Sequence, residues 1–200
     1  MINYFLGDAA RISIDFDALK SLSPSFRCLY FGKSEEQLSS VAPYIFRFSD
    51  SKEFADHVIE NGWGNSWGLF VVTDQPIEEA QHHFRKFLMV KTEGGQQLYF
   101  RYYDPRVLRV FLPTCDLEQL KEVFGLLKQF ICEDEDPSFA LIFSFDGTRL
   151  VTERVDAVTL FPSLKKSDIA AALPKVQNEN IAGEKTVELN ANRPARKFFD

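Results

Sequence analysis

The sequence predicts an α/β (α+β) fold: a mixed sheet with flanking helices and a small C-terminal extension made of a β-hairpin and a helix. Short apolar runs bounded by turn residues are typical of buried strands, and capping motifs mark the starts of helices between them. Turn sequences between strand-like segments predict two hairpins. Of the 200 residues, 45% are hydrophobic and 20 are phenylalanine, which is enough apolar material for a packed core.

Four apolar runs are predicted to form strands of the main sheet. They lie at residues 4–6, 28–31, 44–48 and 67–73. The last of them is apolar at nearly every position, a pattern that favours a central strand covered on both faces.

Helix starts are marked by residues that cap free backbone N–H groups. Capping-box patterns begin at Asp50 and at Asp116, and Asp104 is followed by Pro105, a pair that favours the first turn of a helix. Another helix is predicted after Pro76, where apolar residues recur at helical spacing. These helices are expected to flank the sheet.

Two hairpins are predicted from their turns. The first joins residues 87–92 to residues 97–103 across a Glu-Gly-Gly-Gln turn, and neighbouring side chains of its second arm are expected to alternate between two faces. The second joins residues 139–145 to residues 149–155 across an Asp-Gly turn.

The acidic run at residues 133–136, followed by proline, predicts an internal boundary. It divides the chain into a domain at residues 1–133 and a C-terminal part at residues 138–200. The C-terminal part is expected to contain the second hairpin, a short helix at residues 167–173 and a polar tail. The acidic residues themselves are expected to form a solvated loop.

Charge and cysteine content exclude several classes of protein. A net charge of -6 disfavours the basic surface that nucleic acid requires. Cys28, Cys115 and Cys132 are widely spaced, which predicts neither a disulfide framework nor a zinc site. Residues 1–8 lack the features of a signal peptide, and no apolar run is long enough for a membrane helix. We expect a cytoplasmic monomer that binds neither nucleic acid nor a membrane.

Candidate catalytic residues do not form a recognisable constellation. The glycine-rich segment at residues 62–68 follows a helix and leads into a strand, the reverse of a nucleotide-binding loop, so a tight turn under two indoles is expected. His82 and His83 are helix neighbours that point about 100° apart, which suits one metal ion poorly. We predict no enzyme activity, no cofactor and no metal. The alternative is a hydrolase that uses Asp104 or the histidines.

Arginine and tyrosine residues provide a candidate protein-binding surface, because interface hot spots are enriched in both. The alternative is ordinary packing, in which arginine stems lie over aromatic rings. The predicted contact residues are Arg85, Arg101, Tyr103, Asp104, Arg106 and Arg109. Three further residues are predicted to be structural, namely Trp63, Trp67 and Pro105.

Six motifs follow one another in a characteristic order. The longest is Phe-Arg-Tyr-Tyr-Asp-Pro-Arg-Val-Leu-Arg at residues 100–109. The others lie at residues 28–32, 42–45, 62–70, 83–90 and 111–115. In their order and spacing these motifs resemble those of the type VI secretion effector-adaptor family, over about residues 4–133.

The resemblance implies a non-enzymatic adaptor, or chaperone, of the bacterial cytoplasm. Such a protein holds a cognate toxic effector and loads it onto the VgrG spike of a type VI secretion system, without a cofactor. The part beyond the shared domain, here residues 138–200, is expected to specify the effector. An immunity protein that neutralises a toxin is the alternative, since it also binds one.

Overall fold

Nine strands form two sheets in the part of the chain that the computed structural model describes, residues 2–91 and 95–164. The strands are β1 (Tyr4–Asp8), β2 (Phe26–Cys28), β3 (Pro43–Arg47), β4 (Gly68–Thr73), β5 (Met89–Lys91), β6 (Gln97–Tyr99), β7 (Leu127–Glu133), β8 (Phe139–Phe145) and β9 (Leu150–Asp156). Seven of them form one antiparallel sheet in the order β2-β3-β1-β4-β7-β8-β9, and β5 pairs with β6 separately. The predicted α+β class is confirmed.

Helices lie between these strands. The α-helices of the described part are α1 (Ala9–Ile12), α2 (Phe16–Leu22), α3 (Lys33–Leu38), α4 (Lys52–Gly62), α5 (Ile77–Arg85), α6 (Pro105–Phe111), α7 (Leu117–Phe124) and α8 (Ala157–Leu160). Within residues 2–91 and 95–164, none has both the length and the apolar composition that crossing a membrane requires.

The central strands of the large sheet are buried on both faces, whereas the edge strand β9 is largely exposed. Leu6 of β1 packs on one face with Phe84 of α5, in a core that also includes α6 and α7. Phe5 packs on the other face with Phe54 of α4, in a second core that also includes α2 and α8. Strand β4 lies between β1 and β7, which confirms the central position predicted from the apolar run at residues 67–73.

The helix starts follow the capping residues, with one shift. Asp104 caps α6 and Asp116 caps α7, as predicted, and α7 has a complete capping box. At α4 the capping residue is Ser51 instead of Asp50. The Oγ atom of Ser51 accepts a hydrogen bond from Phe54 N at 3.1 Å, because Ser51 is the residue with extended backbone at this junction.

The strand predicted at residues 28–31 begins and ends earlier. Strand β2 ends at Cys28, and Phe31 lies beyond it with 77% of its surface exposed. The chain turns at Gly32, whose φ of 56° lies in the left-handed region, and α3 follows directly. This turn takes Phe31 out of the sheet, so its prediction as a buried strand residue is wrong.

The second arm of the first predicted hairpin is also shorter than expected. Strand β6 ends at Tyr99, and a turn follows in which Asp104 N donates to Arg101 O at 3.0 Å. Tyr102 and Tyr103 are both buried. The predicted alternation of side chains between two faces is therefore wrong beyond Tyr99, because the backbone is no longer extended.

Strands β8 and β9 confirm the second hairpin and continue the large sheet through β7. The sheet therefore runs without a break across residues 133–136, and the division into 1–133 and 138–200 stays a prediction. The expectation of a solvated acidic loop is wrong for Glu133, which is buried at the end of β7. The helix predicted at residues 167–173 and the polar tail lie outside the described residues.

Candidate protein-binding surface

The loop between α4 and β4 binds a buried carboxylate of the same chain. Gly64 and Ser66 have φ values of 82° and 54°, as a tight turn requires. Gly64 N donates to Glu133 Oε2 at 2.6 Å, and Ser66 donates to Oε1 through its N at 3.1 Å and its Oγ at 2.9 Å. Burial raises the pKa of the Glu133 carboxyl, and the hydrogen bonds oppose that rise. The glycine-rich loop thus holds a carboxyl group of the same chain.

Replacing Glu133 with glutamine is expected to lower the free energy of unfolding by about 1–3 kcal/mol. The amide nitrogen accepts no hydrogen bond, so one backbone donor of the loop, Gly64 N or Ser66 N, loses its partner. Urea unfolding measures the change. The matched control is Glu135→Gln, because Glu135 is exposed in the same connection and should change stability by less than about 0.5 kcal/mol. If Glu133→Gln unfolds like the unchanged protein, the loop does not depend on this carboxylate.

Arg101 is held in place by buried residues. Oδ1 of Asp8 caps α1 by accepting from Ala10 N at 3.1 Å, while Oδ2 of Asp8 accepts from the Arg101 guanidinium. The same guanidinium lies 6.0 Å from the ring centre of Tyr103. Tyr103 is 1% exposed, burial raises its pKa to about 12, and its hydroxyl lies 3.0 Å from that of Tyr99. Asp8 and Tyr103 therefore hold the guanidinium of Arg101 in a defined position at the surface.

Arg106 is fixed by the carboxylate that caps its own helix. Asp104, which is 3% exposed, accepts from Arg106 N and Nε at 3.0 Å each and from Nη2 at 2.6 Å. Burial alone raises the pKa of Asp104, but the hydrogen bonds and charge of Arg106 outweigh burial and lower it. Pro105 is buried at the start of α6. Arg109 Nη1 donates to Glu133 O at 2.8 Å and so joins α6 to β7.

A groove lies between the turn after β2, the end of α5 and the small sheet. Its volume is about 640 Å³. We name it the β5–β6 groove, and it is lined by Phe31, Leu38, Arg85, Lys86, Met89 and Tyr99. It combines aromatic and methionine side chains with Arg85, residue types that are enriched at protein interfaces.

Arg85 fixes one wall of the β5–β6 groove. Its Nε donates to Leu29 O at 3.1 Å and its Nη2 donates to Tyr30 O at 2.7 Å. The guanidinium carbon lies 5.0 Å from the ring centre of Phe31. The ring of Tyr30 lies 6.0 Å from that of Tyr99, edge to face, and connects this wall to the small sheet. The exposed rings are therefore held by a defined framework.

The predicted contact residues fall into separate places. Arg85 is in the groove wall, Arg109 joins two elements, and four residues surround the turn before α6. Those four are Arg101, Tyr103, Asp104 and Arg106. Tyr103 and Asp104 are buried and position the exposed arginines beside them, and their assignment as contact residues stays a prediction. Trp63, Trp67 and Pro105 are buried, and their structural role stays a prediction.

Sequence reasoning missed the apolar residues of the groove. Phe31 was predicted to lie in a strand, although Gly32 and the polar segment that follows it indicate a turn into a helix. Leu38 is an isolated apolar residue near the end of α3. Met89 and Lys91 are exposed on either side of buried Val90, but residues 87–90 are all apolar, so the local sequence does not indicate that Met89 is exposed.

The histidines and cysteines have separate environments. His83 Nε2 lies 2.9 Å from Val123 O, and burial lowers the pKa of this imidazole. Its neighbour His82 is exposed. Within the described ranges, no three His, Cys, Asp or Glu residues are arranged to hold a metal ion. Three cysteines of these ranges are free thiols, namely Cys28, Cys115 and Cys132.

Residues 3–122 match the model of a family described as Domain of unknown function (DUF4123), and this match spans more than half of the chain. The chain belongs to this family. No curated protein and no solved structure matches it.

The DUF4123 match ends inside α7, before the last three strands. It includes the β5–β6 groove and the turn before α6. Strand β7, which lies beyond the match, nevertheless pairs with the central strand β4 and supplies Glu133 to the loop at residues 62–68. In this chain the family segment and the following strands therefore share one sheet.

Proposed function

We propose that this DUF4123 protein is a non-enzymatic adaptor of the bacterial cytoplasm, which holds a cognate effector and loads it onto the VgrG spike of a type VI secretion system. The observation that carries the proposal is the β5–β6 groove, an exposed apolar surface flanked by cations within the family segment. The motifs at residues 62–70 and 100–109, which resemble those of the adaptors, belong to the same segment.

The polar residues that a hydrolase would use form hydrogen bonds within the fold, which also supports a binding role. Asp104 caps α6 and pairs with Arg106, and His83 is bonded to the backbone of α7. Glu133 is held by a loop. These groups stabilise the fold, so we propose recognition through a surface instead of bond cleavage by the protein.

Co-expression with candidate partners tests the proposal. The tagged chain is expected to co-purify with the VgrG protein and the toxin encoded nearest to its gene, and deletion of the gene should abolish secretion of that toxin. Retention of neither partner, together with unchanged secretion, would refute the adaptor function. Protection of a toxin-producing cell by the chain would instead favour an immunity protein.

Arg106→Gln is expected to weaken co-purification of such a partner by about tenfold while lowering the free energy of unfolding by less than about 1 kcal/mol. The Arg106 side chain is about half exposed, which weakens its pair with the buried Asp104, and Asp104 keeps its hydrogen bond from the Arg106 backbone N in the variant. The effect on folding should therefore be small, whereas interfacial arginines carry binding energy. Lys121→Gln is the control, since Lys121 forms an exposed pair with Glu118 on α7. Equal losses of binding and stability would show that Arg106 is structural.

A further inference from the structure

The β5–β6 groove concentrates exposed apolar surface in one part of the fold. Ten large hydrophobic residues of the described ranges are exposed, and four of them line this groove. These four are Phe31, Leu38, Met89 and Tyr99. Contiguous exposed apolar surface in a soluble domain marks an interaction site, and aromatic and methionine side chains are typical of its centre.

The charged side chains that line the groove are cationic. Arg85 and Lys86 supply this charge, and none of the residues that line the groove is Asp or Glu. Among the described residues, Lys86 forms no ion pair and is exposed, although its charge opposes the rise that burial causes in the pKa of the Glu122 carboxyl on α7. The whole chain carries a net charge of -6, so a cationic groove is a local departure from the overall charge. Charge complementarity therefore favours an acidic group on whatever binds here.

The size of the groove limits what it accepts. Its volume of about 640 Å³ lies within the range of roughly 300–1,000 Å³ of pockets that hold drug-sized ligands. That space suits a few side chains of a short segment. It is too small to enclose a folded domain.

We propose that the β5–β6 groove binds a short segment of a partner protein that presents large apolar side chains next to an acidic one. The apolar side chains pack between Phe31, Met89 and Tyr99, and the acidic side chain pairs with Lys86. The inference rests on the proposed function, because the effector or the spike would supply the segment.

The test uses random 12-residue peptides displayed on phage and selected on the full chain. Enriched peptides are expected to combine two or more large apolar residues with Asp or Glu, and a synthetic copy of the strongest peptide is the probe for titration. Lys86→Glu and Met89→Asp should each weaken its binding at least tenfold. Lys52→Glu is the matched control, because Lys52 is exposed on α4, across the sheet from α5, and should leave binding unchanged.

Exchanging the charges of the peptide and of residue 86 distinguishes the loss of a direct contact from a change in folding. A probe in which the acidic residue is replaced by lysine should bind Lys86→Glu more tightly than it binds the unchanged chain. Four results would each overturn the inference: selection without enrichment, enriched peptides without an acidic residue, equal sensitivity to Lys52→Glu, and a dimer of the chain that Met89→Asp abolishes.

Co-purification of the partners tests the proposed function separately from the peptide experiment. If the spike protein and the toxin still co-purify with Lys86→Glu and Met89→Asp, the adaptor function holds and the groove is not its contact surface. If the peptides behave as expected but neither partner is retained, the groove binds such segments and the adaptor function fails.

Discussion

Gly68→Ala is expected to lower the free energy of unfolding by about 4 kcal/mol or more, which is exceptionally large for a single substitution. A Cβ atom at Gly68 would lie 1.9 Å from Leu6 O and 3.0 Å from the Cα atom of Gly7. Both contacts are with the backbone of β1, which cannot move aside without breaking its pairing with the central strand β4. Urea unfolding followed by circular dichroism measures the loss.

Gly147→Ala is the matched control for this change. Gly147 has a φ of 96°, but no described heavy atom lies within 4 Å of the position its Cβ would take. The substitution should therefore cost only about 1–2 kcal/mol, from the unfavourable backbone conformation. If both variants lose the same stability, close contact between β1 and β4 is not what requires glycine at position 68.

Trp67→Ala is expected to lower the free energy of unfolding by about 3–5 kcal/mol, because it removes a buried indole from the second core. The indole covers Gly62, where a Cβ atom would lie 2.8 Å from the Cε3 atom of the ring. Trp67 O also accepts a hydrogen bond from Asp8 N at 2.9 Å, at the junction of β1 and β4. Loss of the side chain should therefore loosen this end of the sheet.

Thermal melting distinguishes this effect from a general sensitivity to substitution. The melting temperature of Trp67→Ala should fall by at least about 6 °C, whereas Leu126→Ala should change it little because Leu126 is exposed. A melting temperature for Trp67→Ala within about two degrees of the unchanged protein would contradict the structural role of the indole.

Features that depend on neighbouring residues were predictable from the sequence. The capping box of α7 is closed by two hydrogen bonds between Asp116 and Gln119, three residues apart. The β8–β9 hairpin is closed around Asp146, whose carboxylate accepts from Thr148 N and Arg149 N. Such contacts involve side chains and backbone of one short segment, so the residue pattern alone indicates them.

Features that depend on distant segments were not predictable. Phe31 is held at the groove by Arg85, which bonds to the backbone of Tyr30 across 55 residues of chain. Glu133 is buried because residues 64 and 66, almost 70 positions earlier, supply its hydrogen bonds. Its acidic neighbours have the same local pattern, so sequence alone gave no reason to separate Glu133 from them.

The sequence by itself determined the α+β class, the central strand, most helix starts and the second hairpin, since periodicity and capping act within a few residues. Its motifs also provided the resemblance from which the adaptor function is proposed. Only the tertiary structure decided which aromatic and charged residues are buried. Burial depends on which distant segments of the chain pack together. In this fold Tyr103 and Asp104 are buried and position neighbouring arginines, whereas Phe31 and Met89 are exposed beside Lys86.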